Sequence, residues 1–325
     1  MPRRANLRQS RADQVISTTT FLRQAELAGN LKLRAGRTVV EVTSLDRLYW
    51  PDEGYTKGDL LRYYVAVGKT VMPYLKDRPT ILKRYPNGIR APMFFQHNVE
   101  NAPGVLKTVE LASEAGRAIN YAVYSDLASL VYLVNIGAIE QHPWHSRVGD
   151  LDHPDYVVFD LDPHGAPFAS VREVALVMGE VLKELRLTGY PKTSGSAGIH
   201  IYVPVRRRYS YEEVAHFAEQ VSERVAERAP RIATVERRLA ERKPDQVYVD
   251  WQQNARGKAA AAVYTVRAKP DASVSTPVTW QEIARGFEIG DFTIKTVPPR
   301  LIKKGDLWKD FFKDRQRLPK LKREM

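Results

Sequence analysis

Two aspartates stand inside an apolar run of the sequence, DYVVFDLDP, where a carboxylate is costly to bury unless a cation or a donor compensates it. Side chains alternate along a strand, so Asp160 and Asp162 emerge on the same face. A third aspartate, Asp250, ends the strand-like segment VYVD. Three carboxylates of this kind predict a site for two divalent cations, Mg²⁺ or Mn²⁺, of the type used in phosphoryl or nucleotidyl transfer.

Two other interpretations of this pair of aspartates stay open. A turn or a salt-bridged pair is the ordinary structural explanation, although the apolar strand context argues against it. The segment VVFDLDP also resembles the motif of haloacid-dehalogenase-type phosphatases, in which the first aspartate is a nucleophile. That motif continues with Gly-Thr near the start of its domain, whereas Pro163 and His164 follow in mid-chain here. The metal site is therefore the favoured interpretation.

The segment KTSGSAGIHIYVPV contains a loop of small residues followed by a strand. The loop, residues 194–198, begins with Ser194, and its backbone amides could approach an anion closely. It is not a P-loop, because the Gly-Lys-Ser/Thr ending and the following helix are missing. In the strand, His200 and Tyr202 share one face, and His200 could donate a hydrogen bond to a phosphate oxygen. A half-buried histidine bonded to the backbone is the structural alternative.

Positive charge is concentrated after Asp250 and at both ends of the chain. Arg256, Lys258 and Arg267 follow Asp250 and are cations of the kind that neutralise a triphosphate, although each alone is most often a surface charge. The net charge is +12, with 8 basic and 2 acidic side chains in residues 1–40 and 10 and 4 in residues 300–325. Such arms suit sequence-independent contact with a polyanion, although solvated tails have the same composition.

The composition indicates a globular protein with one large domain or two lobes. Its 325 residues, 43% of them hydrophobic and 27% charged, are typical of folded chains and not of disordered ones. The absence of cysteine excludes a disulfide scaffold and a thiolate metal site. No apolar stretch is long enough for a bilayer and no secretory signal is visible at the N-terminus, so we expect a cytoplasmic, nucleoid-associated protein.

Capping patterns and β-rich runs predict a mixed fold. A hydroxyl followed three residues later by a carboxylate, at Thr56, Ser170 and Ser210, predicts helices over 57–76, 171–187 and 211–229. A further helix is expected from 125 to just before Gly137. Strand-like runs lie at 38–42, 80–85, 156–162, 198–205, 246–251 and 261–267. Because helices and strands do not alternate strictly, the pattern favours an α+β sandwich over a doubly wound parallel sheet.

With these segments, the chain resembles the polymerase domain of bacterial ligase D, a member of the archaeo-eukaryotic primase superfamily. The resemblance rests on DYVVFDLDP, KTSGSAGIHIYVPV and VDWQQNARGKAAAAVYTVRAKP, supported by SLDRLYWPDEGYTKGDLLRYY, RPTILKRYPNGI with MFFQHN, and IEQHPWHS. It implies a primase-type, two-lobed α+β body with an RRM-like antiparallel or mixed catalytic sheet flanked by helices. The catalytic domain would span 41–300, between a basic N-terminal extension at 1–40 and a basic tail at 301–325.

The resemblance also implies an activity and its partners. The family adds ribo- or deoxynucleotides to 3′ ends at DNA gaps and double-strand breaks during bacterial non-homologous end joining. The expected substrates are therefore an NTP or dNTP and DNA that bears a 5′-phosphate, with two Mn²⁺ or Mg²⁺ ions as cofactors and Ku and a DNA ligase as partners. A non-catalytic module that binds DNA ends is the competing class. Three acidic groups facing a polyanion argue against it, because a pure binder gains nothing from them.

The resemblance assigns site residues in three groups. The metal ions and the chemistry belong to Asp160, Asp162 and Asp250. The incoming nucleotide is bound by Ser194, His200, Gln253, Lys258 and Arg267, with His142 nearby. The DNA is contacted at its 5′-phosphate by Arg47 and Lys57, and on the template strand by Phe94, Phe95, Lys83 and Arg84. The helix start at Thr56 would reinforce anion binding by Lys57. Core packing is the structural alternative for the two phenylalanines.

Overall fold

The computed structural model describes residues 14–112 and 116–321, which form two compact units. The first unit contains the described residues up to Pro143 together with Tyr264–Ser273 and Thr293–Ile302. The second contains Trp144–Val263, Val274–Phe292 and the described residues from Lys303 onward. Helices and several sheets are mixed, which confirms the predicted α+β class. The predicted basic arm and basic tail extend in part, at 1–13 and 322–325, outside the described residues.

The first unit is organised around three sheets. In chain order, its elements are β1 (Val15–Ser17), α1 (Thr18–Arg23), β2 (Leu31–Ala35), β3 (Thr38–Val42), β4 (Leu48–Trp50), β5 (Tyr55–Thr56), α2 (Lys57–Leu75), β6 (Pro79–Arg84), β7 (Phe94–Gln96), β8 (Lys107–Ala112), β9 (Ala118–Val123), α3 (Leu127–Asn135) and β10 (Ala138–Pro143). A three-stranded sheet has the order β1-β2-β3, and a two-stranded sheet pairs β4 with β5. A third sheet has the order β10-β6-β9-β8, with β7 also paired to β6.

Helix α2 is hydrogen-bonded to strand β10. The predicted capping box is present: the Thr56 side chain accepts from the Asp59 amide, and the Asp59 carboxylate accepts from the Thr56 amide. One face of the helix is buried along its whole length. From that face the Tyr64 hydroxyl donates to the carbonyl oxygen of Ile139 at 2.7 Å. This bond ties the start of β10, the strand that contains His142, to the longest helix described in this unit.

The second unit is a five-stranded sheet with two long helices. In chain order, its elements are β11 (Tyr156–Asp162), α4 (Phe168–Glu184), β12 (Tyr190–Thr193), β13 (Ile199–Pro204), α5 (Tyr211–Arg228), β14 (Ala233–Thr234), β15 (Val247–Asp250) and α6 (Trp280–Arg285). A last helix, α7 (Val297–Lys304), begins in the first unit. The strand order is β12-β13-β11-β15-β14; β11 is antiparallel to both of its neighbours, and only β14 runs parallel to its partner.

The central strand β11 has one apolar face and one face of mixed character. Val157, Phe159 and Leu161 are fully buried, as expected where α4 and α5 pack against the strand. On the opposite face, Tyr156 at the start of the strand packs against aromatic rings that include Tyr202. The same face ends in the two carboxylates. Apolar cover at one end and acid groups at the other leave the carboxylate end of the sheet available for a polar ligand.

Two predicted elements differ from the structure. Helix α4 begins at Phe168, and Ser170 is not its N-cap: Pro167 occupies that position and makes no side-chain cap. Proline supplies a fixed φ close to the helix start, so the chain enters the helix one turn earlier than the hydroxyl pattern predicts. Residues 261–267 do not form a strand, because Tyr264 has a positive φ of 63° that interrupts extended backbone. None of the helices in the described ranges is long and apolar enough to cross a bilayer.

Candidate active site

A single row of polar side chains crosses the sheet of the second unit. In the strand register, Lys192 of β12 lies opposite His200 of β13, His200 lies opposite Asp160 of β11, and Asp160 lies opposite Asp250 of β15. Directly opposed residues share a face of the sheet. Asp162 is on this face too, two residues beyond Asp160 and opposite Tyr248. The three aspartates that sequence reasoning selected therefore lie on one face of two adjacent strands.

The electrostatic setting of Asp250 is that of an acid beside another acid. Burial raises its pKa above the usual range, and the nearby charge of Asp160 acts in the same direction. Hydrogen bonds from the Gln253 amide group at 2.9 Å and from the Gln252 backbone at 2.8 Å oppose the shift. Ionisation of the Asp250 carboxyl group is therefore less favourable than usual while no cation is bound.

A divalent metal ion fits the donor set of this face. Carboxylate oxygens are the ligands of Mg²⁺ and Mn²⁺, and a cation would relieve the repulsion that raises the pKa of Asp250. In the described residues, however, no three His, Cys, Asp or Glu side chains converge closely enough to hold a metal ion as they stand. The Asp162 carboxylate accepts from the His164 amide at 3.2 Å, within its own turn.

His200 is oriented by a buried lysine. The fully buried Lys192 places its ammonium 3.0 Å from His200 Nδ1 and 2.6 Å from the Ser275 hydroxyl oxygen. An ammonium only donates, so His200 Nδ1 is the acceptor. The other ring nitrogen, Nε2, lies 3.3 Å from Asp160 Oδ1. A neutral His200 ring consequently has its proton on Nε2, next to the carboxylates. Sequence reasoning missed Lys192 and Ser275, because they are far apart in the chain.

The small-residue loop of residues 194–198 is less open to anions than its composition suggests. The Ser194 hydroxyl oxygen accepts from the amides of Ser196 at 3.1 Å and Gly198 at 2.9 Å. Two of the loop amides are thereby occupied within the loop.

The segment after Asp250 is anchored to β11 by an asparagine. The buried Asn254 side chain accepts from the Val158 amide at 2.8 Å and donates to the Val158 carbonyl at 2.7 Å. It replaces the backbone partner that β11 loses where β15 ends. Gln253, in the same turn, donates to Asp250, and Lys258 lies exposed a few residues later. Sequence reasoning did not select Asn254, whose type and position resemble any loop residue.

The remaining site residues predicted from the sequence lie in the first unit, and two of them meet at the start of α2. The Lys57 amide donates to the Arg47 carbonyl at 2.8 Å. The Arg47 side chain is exposed, whereas Lys57 is buried and its ammonium donates to the Thr43 carbonyl at 2.6 Å. Burial and the charge of Arg47 lower the pKa of Lys57 to about 8. Two cationic residues thus lie close together here, and protonation of Lys57 is less favourable than usual.

The two phenylalanines lie on the surface of the first unit. The exposed fractions of Phe94 and Phe95 are 45% and 54%, so core packing does not explain them. Strand β7 pairs with β6 so that Phe94 lies opposite Arg84 and Phe95 opposite Lys83. The guanidinium of Arg84 lies 5.1 Å from the Phe94 ring centre, and the Lys83 ammonium lies 5.9 Å from that of Phe95. Exposed rings beside cations suit a nucleic acid base and its phosphate.

His142 and Arg267 meet at a buried carboxylate that sequence reasoning missed. The ring nitrogen His142 Nε2 lies 3.1 Å from Glu140 Oε2, and Arg267 Nε donates to the same oxygen at 2.9 Å. Burial lowers the pKa of His142, and the opposing effect of the Glu140 carboxylate does not restore it. The sequence signals for Glu140 are its place in the segment IEQHPWHS, which supports the family resemblance, and its charge directly after two apolar residues.

Comparisons with known proteins find the following similarities. A family model described as "LigD, primase-polymerase domain" matches residues 56–308. The multifunctional non-homologous end joining protein LigD of Pseudomonas aeruginosa is 31% identical over 303 residues, which are 91% of this chain and 36% of that protein. The bifunctional LigD of Bacillus subtilis is 30% identical over 283 residues, 86% of this chain and 45% of that protein. The chain thus spans less than half of the length of these relatives.

A solved structure is similar over most of the chain. It is the polymerase domain of Mycobacterium tuberculosis ligase D in complex with DNA. The TM-score is 0.78 and the sequence identity 28%, over 85% of this chain and 99% of the other. The similarity therefore extends through both units of the fold, well beyond the segments that contain the aspartates.

Proposed function

Because this chain belongs to the LigD primase-polymerase domain family, we propose that it is a nucleotidyltransferase that extends DNA 3′ ends at gaps and double-strand breaks with ribo- or deoxynucleotides. The observation that carries the proposal is the direct pairing of Asp160 with Asp250 across β11 and β15, with Asp162 on the same face. In the reaction, the primer 3′-oxygen attacks the α-phosphorus of the nucleotide and pyrophosphate leaves.

The residues of the sheet divide this work among them. Asp160, Asp162 and Asp250 would hold two divalent cations, Mn²⁺ or Mg²⁺, which in this class of reaction lower the pKa of the attacking hydroxyl and offset the charge of the leaving group. His200 Nε2–H and the Ser194 hydroxyl are donors for the anionic nucleotide. Gln253 keeps Asp250 in place through its hydrogen bond.

Basic side chains offset the charge of the triphosphate. Lys258, Arg267 and His142 are the proposed further contacts to the nucleotide, and of these Lys258 and Arg267 carry the positive charge. Arg can bind two phosphate oxygens at once through its planar guanidinium.

DNA binding is proposed for the first unit. Arg47 and Lys57, which meet at the start of α2, would bind the 5′-phosphate on the far side of a gap. The exposed rings of Phe94 and Phe95 would stack on template bases, at about 1–3 kcal/mol per base, with Lys83 and Arg84 beside the backbone. The solved structure of a similar domain contains DNA, which supports this proposal. End joining, and Ku and a ligase as partners, are proposed from the names of the relatives and from the family resemblance.

A primer-extension assay with Mn²⁺ or Mg²⁺ and labelled NTP or dNTP tests the polymerase proposal. Asp160→Ala and Asp250→Ala should each lower extension by more than about 100-fold, because even the outer partners of metal ligands cost about 10–100-fold. Binding of the DNA end should be retained. Asp245→Ala is the matched control, since Asp245 is an exposed aspartate just before β15. Substantial extension by either site variant would refute the assignment.

The same assay separates the two alternatives. A DNA-end binding module would bind the primer-template and leave its length unchanged with every nucleotide and metal ion. A phosphatase of the haloacid-dehalogenase type would release phosphate from small esters, again without extending the primer. The family match gives neither alternative support.

A further inference from the structure

Glu140 lies at the centre of a buried network in the first unit. Its exposed fraction is 2%, and both of its carboxylate oxygens accept hydrogen bonds. Oε1 accepts from the Lys83 ammonium and from the Ala268 amide, each at 3.1 Å. Oε2 accepts from Arg267 Nε at 2.9 Å and lies 3.1 Å from His142 Nε2. Four donors from three chain segments thus converge on one carboxylate.

Glu140 is ionised, and the cations around it are partly exposed. Burial opposes ionisation of Glu140, but the hydrogen bond from His142 and the charges of Arg267 and Lys83 outweigh burial and keep the pKa of Glu140 below its usual range. Glu140 is therefore negative at neutral pH and offsets one of the two permanent cations. The side chains of Lys83, His142 and Arg267 remain 20%, 17% and 16% exposed. The cations around Glu140 are thus partly accessible from solvent, as contact with an anionic ligand requires.

The backbone holds Glu140 in this position. Strand β10 pairs with β6 so that Glu140 lies opposite Lys83, just after an irregularity in the register. The residues on either side of Glu140 are fixed as well: Tyr64 donates to the Ile139 carbonyl, and the Gln141 amide donates to the Thr265 hydroxyl at 2.9 Å. A carboxylate anchored on both sides can orient the flexible cations around it.

The hydrogen bond to Glu140 also sets the tautomer of His142. A carboxylate accepts only, so His142 Nε2 must carry a proton. Because burial keeps the ring neutral near physiological pH, Nδ1 is then the acceptor. The ring therefore offers a lone pair, and not a second donor, to whatever approaches its other side.

We propose that Glu140 is a positioning residue that holds Lys83, His142 and Arg267 in the arrangement that receives the nucleotide and the template strand. The inference rests on the proposed function for the roles of those three residues. It adds a fourth residue that touches no substrate, and it links the template-side cation Lys83 to the nucleotide-side cation Arg267 through one carboxylate. Loss of the negative charge would leave two cations facing each other and release both.

Glu140→Gln is the direct test, because it removes the charge and keeps the shape. The glutamine amide can accept on one side only, and its NH₂ group would face donors on the other. We expect KM for the NTP, and its equilibrium Kd measured by anisotropy of a fluorescent NTP, to rise about tenfold or more, since breaking a buried charge pair costs several kcal/mol and 1.4 kcal/mol is tenfold. The kcat at saturating NTP should change much less, because the carboxylate contacts neither primer nor leaving group.

Two further variants separate positioning from general destabilisation. In Glu140→Gln/Lys83→Met the repulsion between the cations is absent, so NTP affinity should recover in part relative to Glu140→Gln alone. Glu140→Asp keeps the charge and should fall between wild type and Glu140→Gln. The matched control is Glu41→Gln, which makes the same change at an exposed glutamate on β3 and should leave KM unchanged. If Glu140→Gln fails to fold, Glu140→Asp and the double variant provide the same comparison.

Nitrogen-15 NMR of histidine-labelled protein gives a readout independent of activity. Wild type should show His142 neutral, with the proton on Nε2, and Glu140→Gln should shift the proton population toward Nδ1. An unchanged His142 signal together with wild-type KM and Kd would overturn the inference while the polymerase proposal stands. A wild-type protein that extends no primer would overturn the polymerase proposal instead. In that case the NMR shift and the NTP Kd still decide whether Glu140 positions its neighbours.

Discussion

At the scale of single residues, the proposed metal site and the proposed 5′-phosphate site have the same electrostatic feature. Burial and the charge of Asp160 raise the pKa of Asp250, and burial and the charge of Arg47 lower the pKa of Lys57. In both places a partly desolvated charge lies next to a charge of the same sign. Such a pair gains free energy when an ion of opposite sign arrives, so the acid pair suits a metal cation and the basic pair suits a phosphate.

The pKa of Lys57 predicts a pH dependence of 5′-phosphate binding. The ammonium binds a phosphate only while it is protonated, and its pKa is about 8 before a ligand arrives. The preference for DNA with a 5′-phosphate over DNA without one should therefore decline as the pH rises through about 8. Measuring both affinities by titration across this range tests the expectation. Lys57→Met should lose the preference at all pH values, whereas Lys69→Met, at an exposed lysine of the same helix, should retain it.

The lowered pKa of Lys57 also predicts how the free energy of unfolding changes with pH. Lys57 has a pKa of about 8 in the folded protein and 10.5 as its ordinary value. Between these values the unfolded chain binds more protons, so the free energy of unfolding rises with pH. The cost of burying the charged lysine is fully present below pH 8 and is relieved toward pH 10.5. Urea denaturation should show the free energy of unfolding of wild type rising relative to that of Lys57→Met over this pH window. A constant difference between the two free energies would contradict the pKa of Lys57.

At the scale of elements, the sheet of the second unit depends on a close approach of two strands. Gly198 precedes β13, and a Cβ atom added there would lie 2.2 Å from the Leu161 carbonyl oxygen of β11. No side chain can occupy that space, so only glycine allows β13 to pair with β11 up to Leu161. Because Leu161 lies between Asp160 and Asp162, this close approach also sets where the two carboxylates lie along β11 relative to β13.

Gly198→Ala should therefore destabilise the protein and disturb the site. We expect a loss of about 1–3 kcal/mol or more in the free energy of unfolding, the usual range for overpacking, because the clash is with backbone that cannot rotate away. Extension activity should fall further than stability alone explains. Gly104→Ala is the control, since a Cβ atom there meets nothing within 4 Å. Thermal and urea denaturation compare the two; equal stability of the variants would show that the strands can separate without cost.

Local chemistry explains which elements the sequence predicts well. Capping boxes at Thr56 and Ser210 give the starts of α2 and α5, and the run 156–162 coincides with β11. Strand β8 was not predicted, because its residues are exposed or half-exposed and lack the apolar signal of a core strand. Strand β9 was not predicted either, although the second half of AINYAV is buried. Residues 261–267 have the composition of a strand, but tertiary hydrogen bonds, such as that from the Val266 amide to the Tyr64 hydroxyl at 3.0 Å, replace a ladder.

At the scale of the whole molecule, the site divides into a part that the sequence reveals and a part that only folding creates. The spacing of Asp160 and Asp162 follows from strand geometry alone. The partners of Glu140 are different, since Lys83 and Arg267 are 57 and 127 residues away from it. The same holds for Lys192 and Ser275, which are 83 residues apart. No spacing rule links such positions, so buried polar networks are the component that sequence reasoning misses.

Net charge is the property of the whole chain that predicts its response to salt. The protein carries +12, half of it within residues 1–40, where Arg3, Arg4, Arg8 and Arg11 lie within nine positions of the sequence. Phosphate contacts release counterions, and each contact contributes about 0.9 to the slope of log affinity against log salt. We expect these arginines to strengthen binding to DNA of any sequence and to leave the chemical step unchanged.

Replacing these four arginines with glutamine should weaken DNA binding uniformly across sequences and reduce the salt slope by up to about 3.6, which is about 0.9 for each phosphate that an arginine no longer neutralises. The kcat at saturating DNA should stay at the wild-type value, because the aspartates are untouched. A matched variant neutralises four exposed lysines elsewhere in the chain, at Lys69, Lys107, Lys183 and Lys243. It removes the same net charge, so an equal decrease of the slope in both variants would show that total charge, and not the N-terminal cluster, determines the affinity.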